Sequence, residues 1–116
     1  SQRRSNYKTL YDALSKKANL KVWEFYNDRE DSPFVFPVLY SDGTVDKAFK
    51  ELSAKGIEIR ILMGGSVCQQ KAFEGKVTYG NCENAAYMSS HAFFVGCHHT
   101  LSDSDVKYIA DQIEKL

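Results

Sequence analysis

Near the C-terminus a short apolar run, Phe93-Phe94-Val95, passes through Gly96 and Cys97 into His98 and His99. It then enters Thr100-Leu101-Ser102-Asp103, the opening of a helix. Both halves of this stretch are marked by side-chain chemistry, so it constrains the fold more than any other. Aromatic and β-branched residues favour a strand. Ser102 is a helix N-cap with Asp105 three residues on, an approximate capping box, and Leu101 is placed to staple onto Val106. The helix then presents Val106, Ile109, Ala110, Ile113 and Leu116 at helical spacing as its buried face. A strand leading directly into such a helix predicts a sheet with helices laid against it. The imidazole pair sits at the joint, on a rigid element beside a loop, where binding groups are usually held. In the plainer alternative one histidine caps the helix and the other is a solvated loop residue.

The rest of the chain supplies the other elements. Tyr7, Leu10, Tyr11, Leu14 and Ala18 recur at helical spacing, with Arg3, Arg4, Lys8, Lys16 and Lys17 on the remaining surface. This opening helix has only Ser5-Asn6 as a weak cap, which hints at a piece cut from something longer. Leu20 to Phe25 and Phe34 to Tyr40 read as strands separated by the polar segment Asn27 to Ser32. Pro37 predicts that the second strand is an edge strand or is bulged. Ser41-Asp42-Gly43 makes a turn, and Val45, Ala48, Phe49 and Leu52 outline a second helix closed by Gly56.

Ile57, Ile59 and Ile61 alternate with Glu58, Arg60 and Leu62, which puts the isoleucines on the core face and Arg60 on the other. Gly64-Gly65-Ser66 breaks that strand, and a short helical turn around Gln69 to Phe73 follows. Gly75 and Gly80 mark an irregular connection, and Ala85, Met88 and Ala92 outline a third helix beginning near Asn81. The expected architecture is α+β over residues 1–116. A small, three- to four-stranded, mainly antiparallel sheet is covered by helices in a single domain.

The bulk numbers narrow the class. A chain of 116 residues, 43% of them apolar, holds one core and has no room for a second. Fifteen basic residues balance fifteen acidic ones with no local basic cluster, so neither nucleic acid nor an anionic membrane surface is an expected partner. The apolar runs are too short to cross a bilayer and the polar N-terminus shows no signal segment, which makes a cytoplasmic protein the expectation. Cys68, Cys82 and Cys97 are odd in number, widely spaced and contain no Cys-x-x-Cys pair, so three reduced thiols are expected.

Several residues carry possible chemistry. Arg60, on a strand beside a glycine break, could clamp a carboxylate or phosphate at two points, or simply pair with Glu58 or a helix acid. Gly64-Gly65-Ser66 offers amide hydrogens at close approach, yet lacks the lysine of a phosphate-binding loop, and a plain turn explains it as well. Cys97, His98 and His99 with Cys82 or His91 are possible metal ligands, but adjacent extended residues point to opposite sides and would not readily share an ion. No metal is expected. A Cys-His nucleophilic pair lacks an orienting third group at Cys68 or Cys97.

Taken together, four motifs resemble a known family. They are Arg4-x-Asn6-Tyr7-x-x-Leu10, Pro33-Phe34-Val35-Phe36-Pro37-Val38, Gly56-Ile57-Glu58-Ile59-Arg60 with Gly64-Gly65, and Phe94-Val95-Gly96-Cys97-His98-His99-x-Leu101-Ser102-Asp103. Their order and spacing resemble the C-terminal small domain of the DegT/StrS nucleotide-sugar aminotransferases, pyridoxal-phosphate enzymes of fold type I. The 4-keto-6-deoxyhexose 3-dehydratases are among the most similar members. The resemblance implies a piece of a larger homodimeric enzyme that builds deoxy- or aminosugars for surface polysaccharides. The large domain holding pyridoxal phosphate, with the lysine that binds it or the histidine that replaces that lysine in the dehydratases, is not in this chain. By the same resemblance Arg60, Gly64, Gly65, Ser66, His98 and His99 lie at the substrate side of the active site. Ser66 stands where relatives tend to have asparagine, and His99 where many have proline. The chain alone is expected to bind no cofactor and to be catalytically silent. The competing expectation is a stand-alone binding or scaffolding module with the same fold.

Overall fold

The computed structural model describes residues 2–24 and 31–116. The capping box read from the sequence is formed at the start of α4 (Asp103–Glu114). Ser102 Oγ accepts the Asp105 N–H at 3.2 Å, and an Asp105 carboxylate oxygen accepts the Ser102 N–H at 2.9 Å. Two of the orphan amides of the first turn are thereby satisfied, which fixes where the helix begins. From there Val106, Ala110 and Ile113 are fully buried, with Ile109 and Leu116 partly so.

Helix α1 (Gln2–Leu14) lies beside α4 and contributes Tyr7, Leu10 and Leu14 to the same core. Helix α2 (Val45–Ser53) adds Ala48 and Leu52. Its end is closed as the sequence predicts: the Ile57 N–H reaches the Leu52 carbonyl and the Gly56 N–H reaches Ser53, both at 3.0 Å. Gly56 sits between them at φ +74°, the left-handed position this paired cap requires.

The sheet has four strands in the order β1-β2-β4-β3, every pair antiparallel: β1 (Leu20–Val22), β2 (Val35–Tyr40), β3 (Ile59–Ile61) and β4 (Ala92–Gly96). Phe36, Val38 and Tyr40 of β2, Ile59 of β3, and Phe93 and Val95 of β4 face the helices. The alternate residues Leu39, Ala92 and Phe94 are also buried, on the opposite face. Between β3 and β4 the chain runs through two 3₁₀ turns, Val67–Gln69 and Lys71–Phe73, and helix α3 (Glu83–His91). The fold class is therefore α+β, four helices on a four-stranded antiparallel sheet. Among the described residues no helix is long and apolar enough to cross a membrane.

Several expectations need correction. Pro37 is in a central strand, not at an edge. It is tolerated because β1 ends opposite Val38, leaving Pro37 paired with Phe94 of β4 and beyond the end of the β1 ladder on its other side. Ala92 belongs to β4 rather than α3, because the helix passes into the strand without a loop. Ile61 and Phe49 are 63% and 54% exposed, so neither joins the core that the spacing assigned to it. Cys68 and Cys82 are joined in a disulfide, and only Cys97 is a free thiol among the described residues. Finally, β1 ends at Val22. Phe25 and most of the polar segment after it lie outside the described residues.

Candidate functional site

Antiparallel pairing of β3 with β4 decides where the candidate residues fall. Ile61 is opposite Phe93, near the start of β4, so the Gly64-Gly65-Ser66 turn that follows β3 is carried toward the end of α3. A Cβ placed on Gly65 would lie 3.3 Å from the hydroxyl of Ser89 in α3. His98 and His99 follow the other end of β4, beyond Gly96, which pairs with Val35. Phe93 and His98 are five residues apart, roughly 16 Å along an extended chain at ~3.3 Å per residue. The structure thus brings Gly64, Gly65 and Ser66 together at one end of the sheet, sets His98 and His99 at the other, and leaves Arg60 between them.

Arg60 shares a face with Phe94 and Pro37, its neighbours across the sheet. Its Nε and one terminal nitrogen both donate to a single Glu58 oxygen, at 3.0 and 2.7 Å. Both side chains are well exposed, so this ion pair contributes little to stability and leaves the guanidinium easy to redirect.

Gly64 and Gly65 have φ of +80° and +53°, a backbone that side chains rarely adopt, so the sharp exit from β3 depends on glycine. The Gln70 side-chain amide donates to the Gly64 carbonyl. Ser66 is 3% exposed, and its hydroxyl has no hydrogen-bond partner; the Ser89 hydroxyl is likewise buried and unpartnered. Two orphaned hydroxyls at one junction are unusual for a folded interior.

At the opposite end, His98 Nδ1 is 2.7 Å from the Thr100 hydroxyl, and its ring lies over Gly96, where a Cβ would come within 3.1 Å. His98 and His99 are both exposed. The loop they sit on is held from α1 by Asn6, a residue whose role the sequence reading did not identify. Asn6 is 1% exposed; its Nδ2 donates to the His98 carbonyl at 2.8 Å and more weakly to that of Cys97. Its Oδ1 accepts from the Gln2 side chain at 2.9 Å. The signal was available, since Asn6 is a polar residue four positions before Leu10, on the helix's apolar stripe.

Beneath this loop Cys97 is fully buried, and burial pushes its thiol pKa up to about 11, only partly offset by Arg3. Tyr7, which donates to the Trp23 carbonyl at 2.7 Å, is raised to about 12, by burial first and by Cys97 second. Neither group is activated for chemistry near neutral pH. Among the described residues no three His, Cys, Asp or Glu side chains converge to hold a metal ion.

Comparisons with known proteins supply the family. The model of the DegT/DnrJ/EryC1/StrS aminotransferase family matches residues 1–114. Among solved structures, the chain is similar in fold to an Escherichia coli GDP-4-keto-6-deoxy-D-mannose-3-dehydratase with bound hydrated PLP. The TM-score is 0.82 at 22% identity, over 96% of this chain and 30% of that one. It is also similar to the aminotransferase TlmJ from Streptoalloteichus hindustanus, with TM-score 0.83 and 17% identity over 98% of this chain and 30% of that one. No curated protein sequence matches the chain. The chain spans about 30% of the length of the solved relatives it matches. With nearly all of its length described by one family model, this chain belongs to the DegT/DnrJ/EryC1/StrS aminotransferase family.

Proposed function

We propose that this chain is the C-terminal domain of a pyridoxal-phosphate-dependent nucleotide-sugar aminotransferase or 3-dehydratase. It acts in the cytoplasm in the building of deoxy- or aminosugars for surface polysaccharide, as part of a homodimer. The observation that carries the reading is the pairing of a full-length family match with about 30% coverage of the solved relatives. The larger part of such an enzyme, including the cofactor pocket, lies outside these residues.

The side chains present agree with that division. Pyridoxal chemistry needs an amine or a base, an acid against the ring nitrogen and a phosphate cradle, normally preorganised on one wall. No lysine among the described residues is buried: Lys17, the least exposed, is held by Glu114 at 2.8 Å, and Lys8 by Asp12 at 2.7 Å. Among the described residues none forms such a wall for the cofactor, and no catalytic step is assigned to them.

Their role is to complete the substrate side. Arg60, whose guanidinium is held by the exposed Glu58 carboxylate, suits an anionic group such as a sugar nucleotide's diphosphate. Gly64, Gly65 and Ser66 offer backbone amides and a hydroxyl at close approach. His98 and His99 contribute from the other end of the sheet, positioned by Asn6. The reading is tested by the coding sequence on the N-terminal side. It should continue in frame into a larger α/β domain with a Ser-x-Lys-type segment or its histidine counterpart. A start codon directly before Ser1 would instead favour a stand-alone binding module.

A further inference from the structure

From Ser66 to Cys82 the chain forms a strap that is barely packed onto the molecule. Every residue from 71 to 81 is exposed. The backbone hydrogen bonds of its two 3₁₀ turns are local: Gln70 to Val67, Phe73 to Gln70, Glu74 to Lys71 and Lys76 to Phe73. Its side-chain reach is the bond from Gln70 back to Gly64. At its root the hydroxyls of Ser66 and, on α3, Ser89 are both buried without partners, so no hydrogen bond between them ties the strap down. One covalent link does. Cys68 in the first 3₁₀ turn is bonded to Cys82, the residue that caps α3, across a sequence separation of 14. Gly64 and Gly65 supply a flexible pivot just ahead of it, with nothing within 4 Å of a Cβ at Gly64.

We propose that the Cys68–Cys82 bond is a redox latch that fixes the strap, and with it the Gly64-Gly65-Ser66 turn, against α3. The latch stands on the strap's own geometry and is independent of the function proposed above. Opening it is a two-electron exchange with a thiol reductant. A thiolate attacks one sulfur and breaks the Cys68–Cys82 bond, forming a mixed disulfide and releasing the other cysteine as thiolate. A second reductant thiol then resolves the mixed disulfide, leaving both cysteines as thiols and the reductant oxidised to its disulfide. Closing a loop of this size by a covalent bond strongly restricts the open ensemble, and the strap has little else to hold it. In a thiol-rich compartment the strap is released, and in an oxidising one it is closed.

The test uses the chain as it stands. After treatment with oxidised glutathione and removal of the reagent, alkylation in denaturant should label one cysteine, and after dithiothreitol three. Limited trypsin digestion then reads the strap at Lys71 and Lys76. Reduction should speed cleavage there by at least roughly tenfold, because native-state proteolysis tracks the population of the open form. Cleavage at Lys8 in α1 and Lys107 in α4 should stay at its oxidised rate. The Cys68→Ser, Cys82→Ser double variant should match the reduced protein with or without oxidant. Three titratable thiols after oxidation would overturn the proposal. So would equal cleavage rates at Lys71 and Lys76 in the two states, or acceleration spread equally over α1 and α4.

Discussion

Asn6 shows how much one buried amide can organise. It ties α1 to the end of β4 through the His98 carbonyl at 2.8 Å. Replacing it by alanine leaves that carbonyl unsatisfied beside a cavity. Asn6→Ala should lose about 1–3 kcal/mol in urea unfolding, the usual cost of orphaning a buried polar group. Cys97 makes a second prediction. Its thiol is raised from 9.0 to about 11, so below pH 9 it is neutral in both the folded and unfolded chain and its contribution is complete. Above pH 9 the unfolded chain ionises first, and stability falls as pH rises toward 11. Tyr7, raised from 10.0 to about 12, extends the loss upward. Unfolding curves at stepped alkaline pH should show this decline, and Cys97→Ala should flatten its onset near pH 9.

Among the elements, α4 was the most legible in the sequence, because a cap is a local device: Ser102, Asp105 and the spacing of Val106, Ala110 and Ile113 all lie within one helix. Ser102→Ala should cost about 1 kcal/mol in chemical denaturation. The hydrogen bonds from Ser102 hold the Asp105 pKa below its ordinary value of 3.8. The stabilisation from that carboxylate is therefore complete above pH 4 and is lost as the pH falls through the folded pKa. Stability in the acid range should drop less steeply in Asp105→Asn than in the parent chain. Strand faces were equally readable, since alternation assigned Ile57, Ile59 and Arg60 correctly. Alternation cannot say whether a helix covers the end of a strand, which is why Ile61 is exposed. Pro37 misled for a related reason: its tolerance depends on β1 stopping at Val22, a fact about a different segment. Gly43 belongs here too, since a Cβ on it would come within 2.1 Å of the Tyr40 ring, a close approach invisible in a turn motif.

For the whole molecule, the order of helices and strands was legible and the contacts between distant segments were not. Cys68 and Cys82 meet only because the strap returns to α3, and the two groups of site candidates separate only because β3 and β4 are antiparallel. The radius of gyration of 15.4 Å exceeds the ~13 Å of a compact chain of this length. Met63 and Phe34, 79% and 65% exposed, leave apolar surface uncovered at two separate places on the described residues. The function proposed for this fold is that of a domain shaping the substrate side of an active site whose reactive groups lie elsewhere. The most direct test is to titrate pyridoxal phosphate into the purified chain, reduce with borohydride and measure the intact mass. The account predicts an unmodified mass and no visible-range absorption beyond free cofactor. A stoichiometric adduct on a single lysine would contradict it.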